Sequence, residues 1–140
     1  MNEPAVIEEM LRNSKVIAVV GMSDRDSRAS FHIGKYLAAN GYRVVPVNPT
    51  IKNVLGMASY PDLESAQKAV REQGGEIDLV DVFRAPEHVP PIVDDVIRLG
   101  IKYLWLQDGV VSHDAVRKAE AAGVKCVQND CIYRRHAQMF

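Results

Sequence analysis

The chain has 140 residues, 47% of them apolar and 25% charged, with a formal charge of −1 at neutral pH. That length fits one compact domain able to bury roughly two-thirds of its unfolded surface. The near-neutral balance argues against broad nucleic-acid binding, no apolar run is long enough for a membrane span, and no signal-peptide h-region is evident, so the protein is expected to be cytoplasmic.

Short apolar runs alternate with amphipathic segments, the pattern of a parallel sheet covered by helices on both faces. An opening helix is predicted near 3–13, with Val6, Ile7, Met10 and Leu11 on one side. The first strand is Val16–Val20. Its β-branched run stops at Gly21 and gives way to Met22, Ser23 and a polar loop carrying Arg25 and Arg28. A helix over 31–40 follows, with Ser30 as candidate N-cap and Gly41 as its stop. The second strand is Arg43–Val47, closed by Asn48-Pro49. Residues 50–61 read as a loop with a short extended piece at 58–60.

Leu63, Ala66 and Val70 then mark a modest helix ended by Gly74-Gly75, and the third strand covers 77–83. Pro86 opens the next helix, in which Val89, Ile92, Val93, Val96 and Ile97 keep helical spacing. Pro90 and Pro91 fall in its first turn, where missing amide donors cost little. The fourth strand is Tyr103–Leu106. Ser112 caps a helix with Val116 and Ala119 inward, and the fifth strand is 124–127. These elements predict a single doubly wound α/β domain over 1–140, with a five-stranded parallel sheet in the order 3-2-1-4-5. Ligands bind such sheets at the carboxyl ends of the strands, so the loops after Val20, Val47, Phe83 and Leu106 face one crevice.

A buried strand running through a loop into a helix N-terminus gathers backbone N–H groups at the positive end of the helix dipole, which favours an anion. A dinucleotide fingerprint fails here, because only Gly21 of the three glycines is kept and the second strand ends in Asn48-Pro49-Thr50 rather than an acid. Gly34-Lys35-Tyr36 lacks the other parts of a P-loop. Gly21-Met22-Ser23-Asp24-Arg25 approaches a hydrolase elbow, but Arg25 replaces the second glycine. No tyrosine has lysine four residues on. Cys126 and Cys131 do not make a zinc pattern, so no metal is expected. No nucleophile is paired with a base, so no catalytic residue is assigned.

What remains fits coenzyme A (CoA). Gly21 allows close backbone approach, Ser23 and Ser30 supply hydroxyls, and Arg28 supplies a forked donor for phosphate. Val47, Asn48 and Pro49 form an uncharged adenine-side wall. Phe83, Arg84, Pro86 and Val89 line the pantetheine side, and Lys52 and Arg84 add local positive charge.

Five pieces carry a family resemblance: 19–24 (VVGMSD), Arg28-Ala29-Ser30, 41–49 (GYRVVPVNP), 81–86 (DVFRAP) and 105–110 (WLQDGV). With these in order, the chain resembles the small stand-alone CoA-binding domain proteins, similar to the CoA-binding domain of the succinyl-CoA synthetase α subunit. The resemblance implies a Rossmann-like fold holding CoA or an acyl-CoA. It implies Ser23, Arg28 and Ser30 as phosphate contacts, Asn48 and Pro49 on the adenine side, and Phe83, Arg84 and Gln107 in the pocket. Met22 and Gly109 lie inside the matching pieces and complete the candidate contacts. The synthetases' phosphorylatable histidine sits on a domain without counterpart here, so a non-catalytic binding module is expected. Two other readings stand beside it: an NAD(P)-binding enzyme or redox-sensing Rossmann domain, and a subunit presenting acyl-CoA to an unidentified ligase or transferase partner.

Overall fold

In a computed structural model that describes residues 2–140, α1 (Pro4–Asn13) leads into β1 (Val16–Val20), which is buried along its whole length. There follow α2 (Ala29–Ala39), β2 (Arg43–Val47), and a small antiparallel hairpin of β3 (Asn53–Val54) and β4 (Met57–Ala58). Then come α3 (Leu63–Glu72), β5 (Leu79–Val82), a 3-10 turn at Pro86–His88 running into α4 (Val89–Arg98), and β6 (Tyr103–Leu106). The chain ends with α5 (His113–Ala121), β7 (Lys125–Val127) and α6 (Ile132–Met139).

The main sheet is wholly parallel, in the order β2-β1-β5-β6-β7. The expected doubly wound α/β class holds, but the strand order is corrected: counted over the five long strands it is 2-1-3-4-5, not 3-2-1-4-5. The reason lies in the second strand. The Pro46 carbonyl points to the outer side of β2, where it accepts the Tyr60 N–H at 3.0 Å. A strand residue directs N and C=O to the same side, so the missing Pro46 donor faces outward too, and a proline in that setting belongs on an edge strand. A third strand therefore had no complete ladder to join on that side, and it pairs with β1 instead.

Alternate residues of the central strands serve two cores, which is why these strands read as continuous apolar runs. Ile17, Val19, Leu79 and Trp105 pack under α1, α2 and α6, whereas Ala18, Val20, Val80, Val82 and Leu104 pack against α3, α4 and α5. Trp105 is fully buried with its indole N–H donated to the Asp130 carbonyl at 2.9 Å, so its burial leaves no orphaned donor. Asp62 N-caps α3 by accepting the Ser65 N–H at 2.8 Å, a cap worth about 1 kcal/mol.

Two local differences from the expectation matter for the site. The second helix starts at Ala29 rather than at 31, with Arg28 at the N-cap and Ser30 inside the first turn. The segment after β7, for which no element was expected, forms α6. It is held by Arg134 and Arg135 on Asp130, by Arg134 on Asp108, and by the Tyr36 hydroxyl on His136 Nδ1 at 2.7 Å.

Candidate functional site

The sheet order reverses between β1 and β5, because the loop after β1 runs to the α2 face and the loop after β5 to the opposite face. Gly21 stands at that fork with φ +87°, and its N–H donates to the Val47 carbonyl at 2.8 Å. A Cβ on residue 21 would fall 2.9 Å from Arg84 Cδ and 3.2 Å from the Phe83 carbonyl oxygen. Glycine is thus required twice, for its backbone angle and for the approach of the two loops.

The polar loop is folded by its own serines. The Ser23 N–H donates to Ser30 Oγ at 2.9 Å, and the Arg25 N–H donates to Ser23 Oγ at 3.0 Å. Both hydroxyls accept from the loop backbone and keep their protons available to a ligand oxygen. Met22 is different. Its side chain is fully buried against Gly34, where a Cβ would lie 2.8 Å from Met22 Sδ, so only its backbone borders the loop. Gly34 therefore belongs to helix–strand packing, the task of the last glycine in a dinucleotide fingerprint, and not to a P-loop.

Asn48 spends its carboxamide within the fold. Nδ2 donates to the Met22 carbonyl at 3.1 Å, and Oδ1 accepts the Thr50 N–H and hydroxyl. It ties the end of β2 to the loop after β1, while Val47 and Pro49 form the wall. A cavity of about 200 Å³ opens beside them at the carboxyl ends of β1 and β2. Val47 and Pro49 line this cavity together with Arg84, which was expected on the pantetheine side, and with Pro61, His88, Pro91 and Ile92. Val89 is not among them: as the first residue of α4 it is fully buried in the core on that face of the sheet. Pro86 and Lys52 are exposed, on the turn before α4 and next to the small hairpin. A larger open groove, about 540 Å³, runs along the β7 edge past Asn2, Glu3, Glu120 and Lys125, but it lies far from the fork in the sheet.

Charge sets the fork apart. Among the described residues, Arg25, Arg28 and Arg84 are the arginines whose side chains make no hydrogen bond or ion pair. Arg12, Arg43, Arg71, Arg98, Arg117, Arg134 and Arg135 all make one. Asp24 and Asp26 share the loop with Arg25 and Arg28, yet they pair with neither. Cations left unpaired around a glycine fork and a helix N-terminus suit a ligand with several negative charges.

On the other side of the fork, Phe83 is half-buried and Gln107 is buried, its Oε1 accepting the Ile132 N–H at 3.1 Å. The Gly109 N–H, at a residue with φ +79°, donates to Asn129 Oδ1 at 2.8 Å, which pins the loop after β6 to the segment before α6. Asp81, between Val19 and Trp105 in the sheet, is wholly buried with both carboxyl oxygens unpartnered, and desolvation raises its pKa well above the ordinary aspartate range. None of the histidines hydrogen-bonds a serine or cysteine among the described residues. His32 meets the Asp26 carbonyl, His113 meets Gln128, and His136 meets Tyr36.

Comparison with known proteins places the chain in a family and matches its fold. Residues 15–137 match the family model described as "CoA binding domain". The chain is 36% identical over 133 residues to "Uncharacterized protein YneT" of Bacillus subtilis, covering 95% of this chain and 93% of that protein. It is 27% identical over 134 residues to the ADP-forming acetate–CoA ligase I of Archaeoglobus fulgidus, covering 89% of this chain but 18% of the ligase. Among solved structures, a hypothetical protein from Pyrococcus horikoshii superposes with a TM-score of 0.87 at 34% identity, covering 98% of this chain and 92% of that one. A match running from before β1 into α6 takes in every strand of the sheet, and the chain belongs to the CoA-binding domain family.

Proposed function

We propose that this protein binds CoA or an acyl-CoA at the fork between β1 and β5 and performs no reaction on its acyl group. The observation that carries the reading is the set of arginines without internal partners, Arg25, Arg28 and Arg84, around a glycine whose Cβ would close the cradle. Gly21, Ser23 and the first turn of α2 would hold the diphosphate, the arginines and Lys52 the remaining phosphate charge, and the cavity beside Val47 and Pro49 the adenine. The energetics agree. Micromolar binding needs about 8 kcal/mol, of which a helix dipole supplies up to about 2 kcal/mol. Cations and apolar walls must supply the rest. An NAD site is disfavoured because Asn48, where such sites place an acid, is already committed to Met22 and Thr50.

The similarity to a segment of an ADP-forming acetate–CoA ligase supports a second, compatible reading, in which the domain presents acyl-CoA to a separate ligase or transferase. Calorimetry with CoA, acetyl-CoA, NAD, NADP and ATP separates these ideas from the enzyme alternative. CoA and its thioester should bind and NAD should not. Binding of NAD in preference to CoA would remove the proposal.

A further inference from the structure

The two cysteines differ sharply in setting. Cys126 is buried in β7, and burial pushes its thiol up to about 12. Cys131 is half-exposed at the N-cap of α6. It packs against the same core as Phe83, on the face of the sheet covered by α2 and α6. The register pairs Asp81 with Trp105 and Val82 with Leu106, so Phe83 and Gln107 form the next row of that face, at the carboxyl end.

Two polar side chains on this face keep hydrogen-bonding capacity that the protein does not use. Gln107 is 4% exposed, and its Oε1 accepts from Ile132, the residue after Cys131, which places the carboxamide at the first turn of α6. Its Nε2 donates to nothing among the described residues. In the row beneath, both Asp81 oxygens are likewise unpartnered. The Gln107 carboxamide thus keeps a donor for an external partner at the carboxyl end of this face. From β1 to β6 is two strand spacings, about 10 Å. A CoA with its diphosphate at Gly21 can run its pantetheine arm along this face, with an amide carbonyl at Gln107 Nε2 and its sulfur near Cys131.

We propose that Cys131 is a thiol–disulfide exchange site for CoA disulfide, an inference that rests on the CoA reading above. The Cys131 thiolate attacks one sulfur of the bound disulfide. A bond forms between Cys131 Sγ and that sulfur as the bond between the two CoA sulfurs breaks. The second CoA leaves as a thiolate and takes up the proton that Cys131 released. One disulfide replaces another, so no further oxidant is needed.

The test incubates the whole protein with CoA disulfide and, separately, with glutathione disulfide, followed by mass spectrometry under non-reducing conditions. A CoA adduct is expected on the Cys131 peptide and not on Cys126, with one CoA thiol released per adduct. Because the disulfide is held in place, its rate should exceed that with glutathione disulfide by at least about tenfold, and acetyl-CoA should slow it. Equal rates with the two disulfides, or labelling of Cys126, would overturn the proposal. CoA binding by Cys131→Ser, measured by calorimetry, separates the two layers. Tight CoA binding without a wild-type adduct refutes the exchange alone, and absence of CoA binding refutes the reading beneath it as well.

Discussion

The aliphatic stem of Arg84 lies across Gly21, so closely that a Cβ on residue 21 would sit 2.9 Å from Arg84 Cδ. This contact joins the loops after β1 and β5 and places an unpaired guanidinium beside the fork. Gly21→Ala forces a side chain into a φ of +87° and pushes Arg84 aside. Backbone strain of this type costs on the order of 1–3 kcal/mol. Chemical denaturation should show a loss in that range, and CoA binding should weaken beyond what the lost stability explains.

Arg28 is exposed and makes no internal ion pair among the described residues, so removing it should leave stability almost unchanged. Affinity should respond instead. Arg28→Ala should weaken CoA binding about tenfold or more, equivalent to about 1.4 kcal/mol, and the loss should shrink as salt rises. Calorimetry at two ionic strengths reads both effects. An unchanged dissociation constant would take Arg28 out of the site.

Asp81 is expected to keep its proton in the folded sheet, since desolvation alone raises its pKa and no partner offsets it. Below the pH at which an unfolded aspartate ionises, about 3.9, both states are neutral and stability is unaffected. As pH rises above that value the unfolded chain ionises first, and the folded state loses about 1.4 kcal/mol per pH unit until Asp81 itself ionises. Asp81→Asn should therefore match the wild type near pH 3.5 and become the more stable protein toward pH 7. Denaturation midpoints of the pair across that range check the sign.

His136 behaves in the opposite sense. Burial against Tyr36, Tyr42 and Phe140 lowers its pKa, and its Nδ1 shares a hydrogen bond with the Tyr36 hydroxyl at 2.7 Å. The unfolded histidine takes a proton near pH 6.5 while the folded one resists. Stability present above that pH is lost as pH falls toward the lowered folded value. Thermal midpoints should fall with acidification in the wild type and fall less in His136→Asn, which starts from a lower midpoint at pH 8.

The strands and the glycine at the fork were legible because a buried parallel strand leaves a simple mark: β-branched residues without alternation, then Gly21. The strand order was misread although its signal was present, since Pro46 inside the second strand already marked an edge. Gly34 is no P-loop glycine, and its packing role is silent in the sequence because its partner is Met22, twelve positions away. The helix at 132–139 leaves a weak mark because, besides Asp130 just before it, its order comes from Asp108 and Tyr36, which are distant in the chain. Arg28 and Arg84 were visible as cations near the crevice. That they alone with Arg25 among the arginines lack an internal partner is a property of the folded molecule.

The most direct measurement is a crystal structure of the protein grown with CoA. The diphosphate should lie against Gly21 and the Ser23–Ser30 loop, with adenine beside Val47 and Pro49 and a guanidinium from Arg28 or Arg84 on phosphate. Density for CoA elsewhere on the surface, with the glycine fork untouched by ligand, would contradict the assignment.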